Sequence, residues 1–201
     1  MSGSSNDRRR WPWDGYRPAV HMWFRTLLVR RTWRRRSRLA VGDVGRLGMR
    51  ALPTDIDVFG HVNNGKYLSL MDIGRWDLLL RTGLWRRMVE QGLYPVVSSS
   101  TMTYRKSLRL GQRFVLESRI TGYDERSVFM EQRFTVDGEV FARGVVRGVF
   151  LRRSGGVVRT AELGELLGVD TATAPPDPWL QDWAAAVALP STRSAAPSVW
   201  V

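Results

Sequence analysis

The sequence predicts an α+β domain in which an antiparallel sheet wraps one long buried helix, and three observations carry that prediction. A half-buried strand pattern comes first, a strongly apolar helix follows, and four strand patterns then succeed one another with no helix between them. The first strand opens at Arg46, where Leu47, Met49 and Ala51 alternate with Arg46, Gly48 and Arg50, and Pro53 ends it. The helix runs from Gly65 to Arg81. Tyr67, Leu70, Met71, Gly74 and Leu78 recur in it at helical spacing, and Leu68, Ile73, Trp76 and Leu79 add apolar residues on other faces, so it is largely buried. Gly83 stops it, and Leu84 to Leu93 forms a shorter helix or a turn-rich connection. The strands that follow are Val96 to Lys106, Arg113 to Tyr123, Ser127 to Val136 and Val140 to Leu151. Asp137-Gly138, a dipeptide that readily takes positive φ, makes the last two an antiparallel hairpin. Val128, Met130, Phe134 and Val136 share one face with Gln132 intruding. In the partner strand Val140, Ala142, Gly144, Val146, Gly148 and Phe150 form a small-residue face that suits the close approach of a helix or second sheet.

Three regions are expected: a basic arm over residues 1–40, the α+β domain over 44–153, and a peripheral extension over 154–201. Residues 1–19 mix Ser, Gly, Arg and Pro with Trp11, Trp13 and Tyr16 and read as a mobile tail. From Val20 to Leu39, Trp23, Leu27 and Leu28 stand at helical spacing among arginines, the pattern of a basic amphipathic helix. Two readings of this arm stay open: packing on the domain with its arginines in solvent, or docking on an anionic lipid surface. Beyond Gly155-Gly156, short helices around Ala161 to Leu167 and Trp179 to Leu189 flank a proline-rich break.

Charge is distributed unevenly along the 201 residues. The formal charge is +12, yet residues 1–40 hold eleven arginines against Asp7 and Asp14, which leaves 20 basic and 17 acidic residues for the rest. The folded part is therefore nearly neutral, and it lacks any recognisable nucleic-acid reader motif, so no specific nucleic acid is expected. Cys is absent and His is limited to His21 and His61, which excludes disulfide scaffolds, thiolate catalysis and histidine-rich metal centres. No apolar run is long enough to span a bilayer or to serve as a secretory signal. A cytoplasmic protein is expected, with any membrane contact peripheral, at the inner face and through residues 20–39.

Chemistry concentrates between the first strand and the buried helix, in Asp55-Ile56-Asp57-Val58-Phe59-Gly60-His61-Val62-Asn63-Asn64-Gly65-Lys66-Tyr67. A calcium loop fails on detail, because Phe59 stands at its fifth position and Lys66 where a bidentate Glu belongs, so no metal is assigned. Asp55 is read as bracing the turn after Pro53, and Asn63 as a helix N-cap. The order of elements and the pattern Asp-x-Asp-x-x-Gly-His-Val-Asn-Asn-x-x-Tyr resemble the hotdog-fold acyl-CoA thioesterases, the group of 4-hydroxybenzoyl-CoA thioesterase and of proteins akin to thioesterase superfamily member 6.

That resemblance covers about Val44 to Arg153 and implies a hotdog fold. It implies Asp57 as the catalytic carboxylate, and an acyl-CoA carbonyl at the N-terminus of the buried helix, beside Asn63, Asn64 and Gly65. It further implies homodimers or homotetramers with shared sites, and no cofactor. Gly60, His61, Val62 and Tyr67 complete the expected oxyanion and substrate-binding set. Arg105, Lys106 and Arg109, at and just beyond a strand end, are candidates for the phosphates of coenzyme A or else solvated charges. The chemistry agrees with the assignment: attack on a thioester places charge on the carbonyl oxygen, and free N–H groups at a helix N-terminus stabilise it. Two other classes remain open, a non-catalytic acyl-binding or membrane-associated scaffold, and a hydratase or dehydratase on the same fold.

Overall fold

The computed structural model describes residues 20–172, 174–191 and 193–198; the tail read over residues 1–19 and the side chain of Trp23 lie outside these. Helix α1 (Val20–Thr32) leads through a 3₁₀ turn (Trp33–Arg35) to β1 (Gly45–Arg50). Helices α2 (Asn64–Arg81) and α3 (Leu84–Glu90) follow, then β2 (Leu93–Tyr104), β3 (Arg113–Tyr123), β4 (Ser127–Val136), β5 (Glu139–Arg152) and the short β6 (Val157–Val158). Helices α4 (Thr160–Leu167) and α5 (Pro178–Ala186) close the chain. The sheet is antiparallel in the order β1-β3-β4-β5-β2, with β6 on β5. The helix between the first two strands places β1 and β2 at opposite edges.

The β4–β5 hairpin turns at Asp137 (φ 50°) and Gly138 (φ 83°), the conformation that the Asp-Gly pair favours. Helix α2 lies on one face of the sheet, where Tyr67, Leu70, Met71, Ile73 and Leu78 join Leu116, Phe134, Ala142 and Val146 in the main core. Gly144 permits the approach: a Cβ there would lie 2.3 Å from the Met102 sulfur and 2.7 Å from Cε of Met71. Gln132, the polar residue intruding on the apolar face of β4, is fully buried. Its amide donates to the Met71 carbonyl at 3.0 Å and to the Ser118 hydroxyl at 2.8 Å, and its Oε1 accepts from Arg75 at 2.9 Å, so the intrusion is a satisfied anchor for the helix.

One expectation needs revision. Within the extension over 154–201, read as peripheral, α4 and α5 pack on the domain. Leu163 and Leu167 of α4 join Leu84, Met88, Leu93 and Val128 in a second core, and Leu180 and Ala184 of α5 cover Phe129 and Val145. Short helices with apolar residues three and four apart need such a surface to be stable. In the arm, the described residues take the packed reading of the two left open. Helix α1 packs along α2, and Val29 enters the main core. Below it Arg36 and Arg81 share the buried carboxylate of Asp77, at 2.5 and 3.2 Å. Phe24, Leu27 and Leu28 remain exposed on α1. Among the described residues no helix is long and apolar enough to cross a membrane.

Candidate active site

The motif segment forms a small hairpin-like loop that delivers the chain into α2. Ile56 and Val62 pair across it, the Asp57 N–H donates to the His61 carbonyl at 2.9 Å, and the Gly60 N–H donates to the Asp57 carbonyl at 3.1 Å. Gly60 sits at φ 79°, which a residue with a side chain rarely adopts. Asp57 is half-buried. One carboxylate oxygen accepts the Phe59 N–H at 2.9 Å, a local turn bond that fixes the side chain and leaves the second oxygen without a hydrogen bond among the described residues. The tip is apolar and open, with Val58 94% and Phe59 79% exposed.

Asn63 caps α2 as expected, its side chain accepting the Gly65 N–H at 2.9 Å. The Lys66 N–H goes to the Asn63 carbonyl at 2.8 Å. The Asn64 N–H, at the first helical position, has no acceptor one turn back in its own helix. It is a donor of the helix end that its own helix leaves unmatched, whereas the Gly65 N–H is held by the Asn63 side chain. Tyr67 is buried, accepts the Leu108 N–H at 3.3 Å, and burial raises its phenol pKa above the ordinary 10.0. Tyr104, at the end of β2, packs edge-on to Tyr67 with ring centroids 5.2 Å apart and donates to the Asn64 carbonyl at 3.0 Å. Desolvation raises its pKa as well.

The structure therefore gathers Asp57, Gly60, His61, Val62, Asn63, Asn64, Gly65 and Tyr67 in one loop and helix end. The Val62 side chain is buried in the main core, and its N–H donates to the Leu108 carbonyl at 2.8 Å. His61 pairs by its backbone with Arg109, which brings that arginine beside the loop. Arg105 and Lys106 instead hold the exposed Glu139 at 2.6 and 2.7 Å, and these hydrogen bonds lower its pKa below 4.5. A cleft of about 630 Å³ between α1 and the β1–β3 side of the sheet is lined by Phe24, Leu28, Met49 and Phe114 and by none of the motif residues.

Asp55 braces the turn, with its carboxylate accepting the Leu52 N–H at 2.8 Å, but its principal partner was not legible in the motif. Arg25 of α1 donates to both oxygens, at 2.7 and 3.3 Å, and both residues are buried. Tyr104 is the other contributor from outside the motif. Its position at a strand end beside Arg105 was visible, but its reach to the helix was not.

Comparison with known proteins bears on the fold and the family. THEM6 from Xenopus laevis is 35% identical over 95 residues, 47% of this chain and 46% of that protein. The long-chain acyl-CoA thioesterase FadM from Escherichia coli K12 is 27% identical over 93 residues, 45% of this chain and 70% of that one. The chain spans about half the length of the THEM6 relatives it matches. Among solved structures, the probable thioesterase YbaW from Escherichia coli superposes with a TM-score of 0.57 at 24% identity, over 61% of this chain and 95% of that one. The gentisyl-coenzyme A thioesterase BH1999 does so with 0.52 at 19%, over 57% and 94%. At these identities the superpositions show the fold, which is the hotdog fold. The model of the thioesterase-like superfamily matches residues 51–184, from the end of β1 into α5, and the chain belongs to that superfamily.

Proposed function

We propose that the chain hydrolyses acyl-CoA thioesters, with Asp57 as general base or nucleophile and the N-terminus of α2 stabilising the oxyanion. The observation that carries this reading is a half-buried carboxylate, one oxygen of which has no hydrogen bond among the described residues, in the loop that ends at a helix N-terminus. A carboxylate so placed either takes a proton from the attacking water or adds to the thioester carbon, expelling coenzyme A thiolate and leaving a mixed anhydride for water to cleave. In both routes the carbonyl oxygen gains charge that the Asn64 N–H and the helix dipole stabilise. Arg109, beside the loop, is an anchor for the phosphates. Arg105 and Lys106 would join it by exchanging the exposed Glu139 for phosphate, since an exposed ion pair contributes little.

The site is shared across two copies in this reading. The β1 edge is occupied, because Arg25 and Arg36 donate to the outward carbonyls of Arg50 and Arg46. Among the described residues the β2 edge has no such cover, and Val96 and Val97 on it are exposed. A second copy pairing along β2 removes that edge and lies close to Tyr104 and the open tip at Val58 and Phe59. On α1, exposed Phe24, Leu27 and Leu28 beside exposed Arg30, Arg31, Arg34 and Arg35 favour a further contact with anionic lipid.

The test of the hydrolase reading is thiol release from a panel of aromatic, medium-chain and long-chain acyl-CoA esters. Asp57→Asn keeps the side-chain shape and should lower turnover at least about a hundredfold while substrate still binds. Near-normal release by that variant removes Asp57 from the chemistry. No release by the wild-type chain from any ester in the panel removes the hydrolase reading.

A further inference from the structure

The residues that form the motif are held from outside it. Arg25 lies in α1, upstream of the span that the superfamily model matches, and it is 7% exposed. Its guanidinium makes three hydrogen bonds: 2.7 and 3.3 Å to the two carboxylate oxygens of Asp55, and 2.8 Å to the Arg50 carbonyl. The first two fix the 3₁₀ turn at Pro53–Asp55, and the third fixes the end of β1. A planar fork suits this three-point contact and an ammonium does not.

From Asp55 the constraint passes on through the main chain. The Asp55 carbonyl accepts the Asn63 N–H at 2.8 Å, and Asn63 is the cap whose side chain holds Gly65 at 2.9 Å. Ile56, next in sequence, pairs with Val62, and Asp57 follows with its own bond to His61. Arg25 thus stands at the head of a continuous set of hydrogen bonds whose two branches end at the carboxylate of Asp57 and at the N-terminus of α2. These are the two groups whose separation decides whether attack and oxyanion stabilisation coincide, and small misplacements of such groups are expensive in rate. The Asp55 carboxylate is 99% buried, and among the described residues Arg25 is the one cation that donates to its two oxygens.

We infer that Arg25 is a positioning residue for the active-site loop, so that the basic arm sets the geometry of the catalytic pair. This rests on the hydrolase reading above for its rate consequence but not for its structural one. The other arm contact provides a control. Arg36 holds Asp77 on the body of α2, away from the loop, and Asp77 keeps Arg81 if Arg36 is lost.

The experiment compares the full chain with Arg25→Met, Arg25→Lys, Arg36→Met and the paired variant Arg25→Met/Asp55→Leu. It measures kcat and KM for the best acyl-CoA of the panel, together with amide hydrogen exchange. Arg25→Met should lower kcat at least about tenfold with KM changed less than about twofold, because binding surfaces are kept and alignment is lost. Lysine should restore only part of the rate. Exchange at the Asp57 and Asn63 amides should quicken about tenfold or more while β4 and β5 keep their protection. Arg36→Met should lose stability but keep kcat. The paired variant buries no unpaired charge and should fold, yet it should keep the slow kcat and the fast exchange, and it decides the question if Arg25→Met does not fold. Wild-type kcat and wild-type exchange at Asp57 and Asn63 in a folded variant lacking Arg25 would overturn the inference. If the wild-type chain releases no thiol, the hydrolase reading falls, and exchange alone still decides the clamp.

Discussion

Replacing Gly74 by alanine tests how closely α2 must sit on the sheet. A methyl group at this position would lie 2.7 Å from Cδ2 of Leu116, 2.8 Å from Nε2 of Gln132 and 2.8 Å from the Ser118 hydroxyl. Alanine by itself favours a helix over glycine by about 1 kcal/mol. Against this, overpacking a filled core costs about 1–3 kcal/mol, and pushing the Gln132 amide off the Met71 carbonyl or the Ser118 hydroxyl costs about 1–3 kcal/mol more, because these groups are buried. The clash wins, with a net loss of about 3 kcal/mol near the middle of these ranges. For a chain of this size that corresponds to a fall in Tm of about 6–12 °C. Thermal and urea melts at one fixed protein concentration read it, with Gly48→Ala as the control, since nothing lies within 4 Å of a Cβ there. Turnover should fall with it, because a helix lifted at Gly74 also moves its N-terminus. An unchanged or higher Tm would refute the claim that this contact sets the depth of the helix.

Two further outcomes concern surfaces. The full chain should bind vesicles containing anionic lipid more strongly than neutral ones, with affinity falling as salt rises, because exposed arginines flank Phe24, Leu27 and Leu28; equal binding to both in a sedimentation assay leaves α1 as a packed arm only. Light scattering at micromolar concentration should give a dimer or tetramer, and a Val96→Lys/Val97→Lys variant should shift it toward monomer; a wild-type monomer would remove the shared-site reading.

Much of the fold was legible because its signals are local. Alternation in Ser127 to Val136, the Asp137-Gly138 turn and the small residue at Gly144 each report on neighbours a few positions away, and the structure places the hairpin and the helix seat there. The cluster from Asp55 to Tyr67 was legible for the same reason, since one loop carries it into α2. What the tertiary structure alone decided are the contacts between residues distant in sequence. Arg25 reaches Asp55 across 30 positions and Arg36 reaches Asp77 across 41, and no period distinguishes those two from the other arginines of the arm. Tyr104 meets Asn64 only because β2 returns along the sheet edge, and α5 covers Phe129 only because Gly122 lets the proline-rich segment pass, with a Cβ there only 2.5 Å from Pro176. Sequence patterning reports which face of an element is apolar. Which charge on a neighbouring element meets a buried carboxylate depends on how those faces pack, and that is fixed only when the chain has folded.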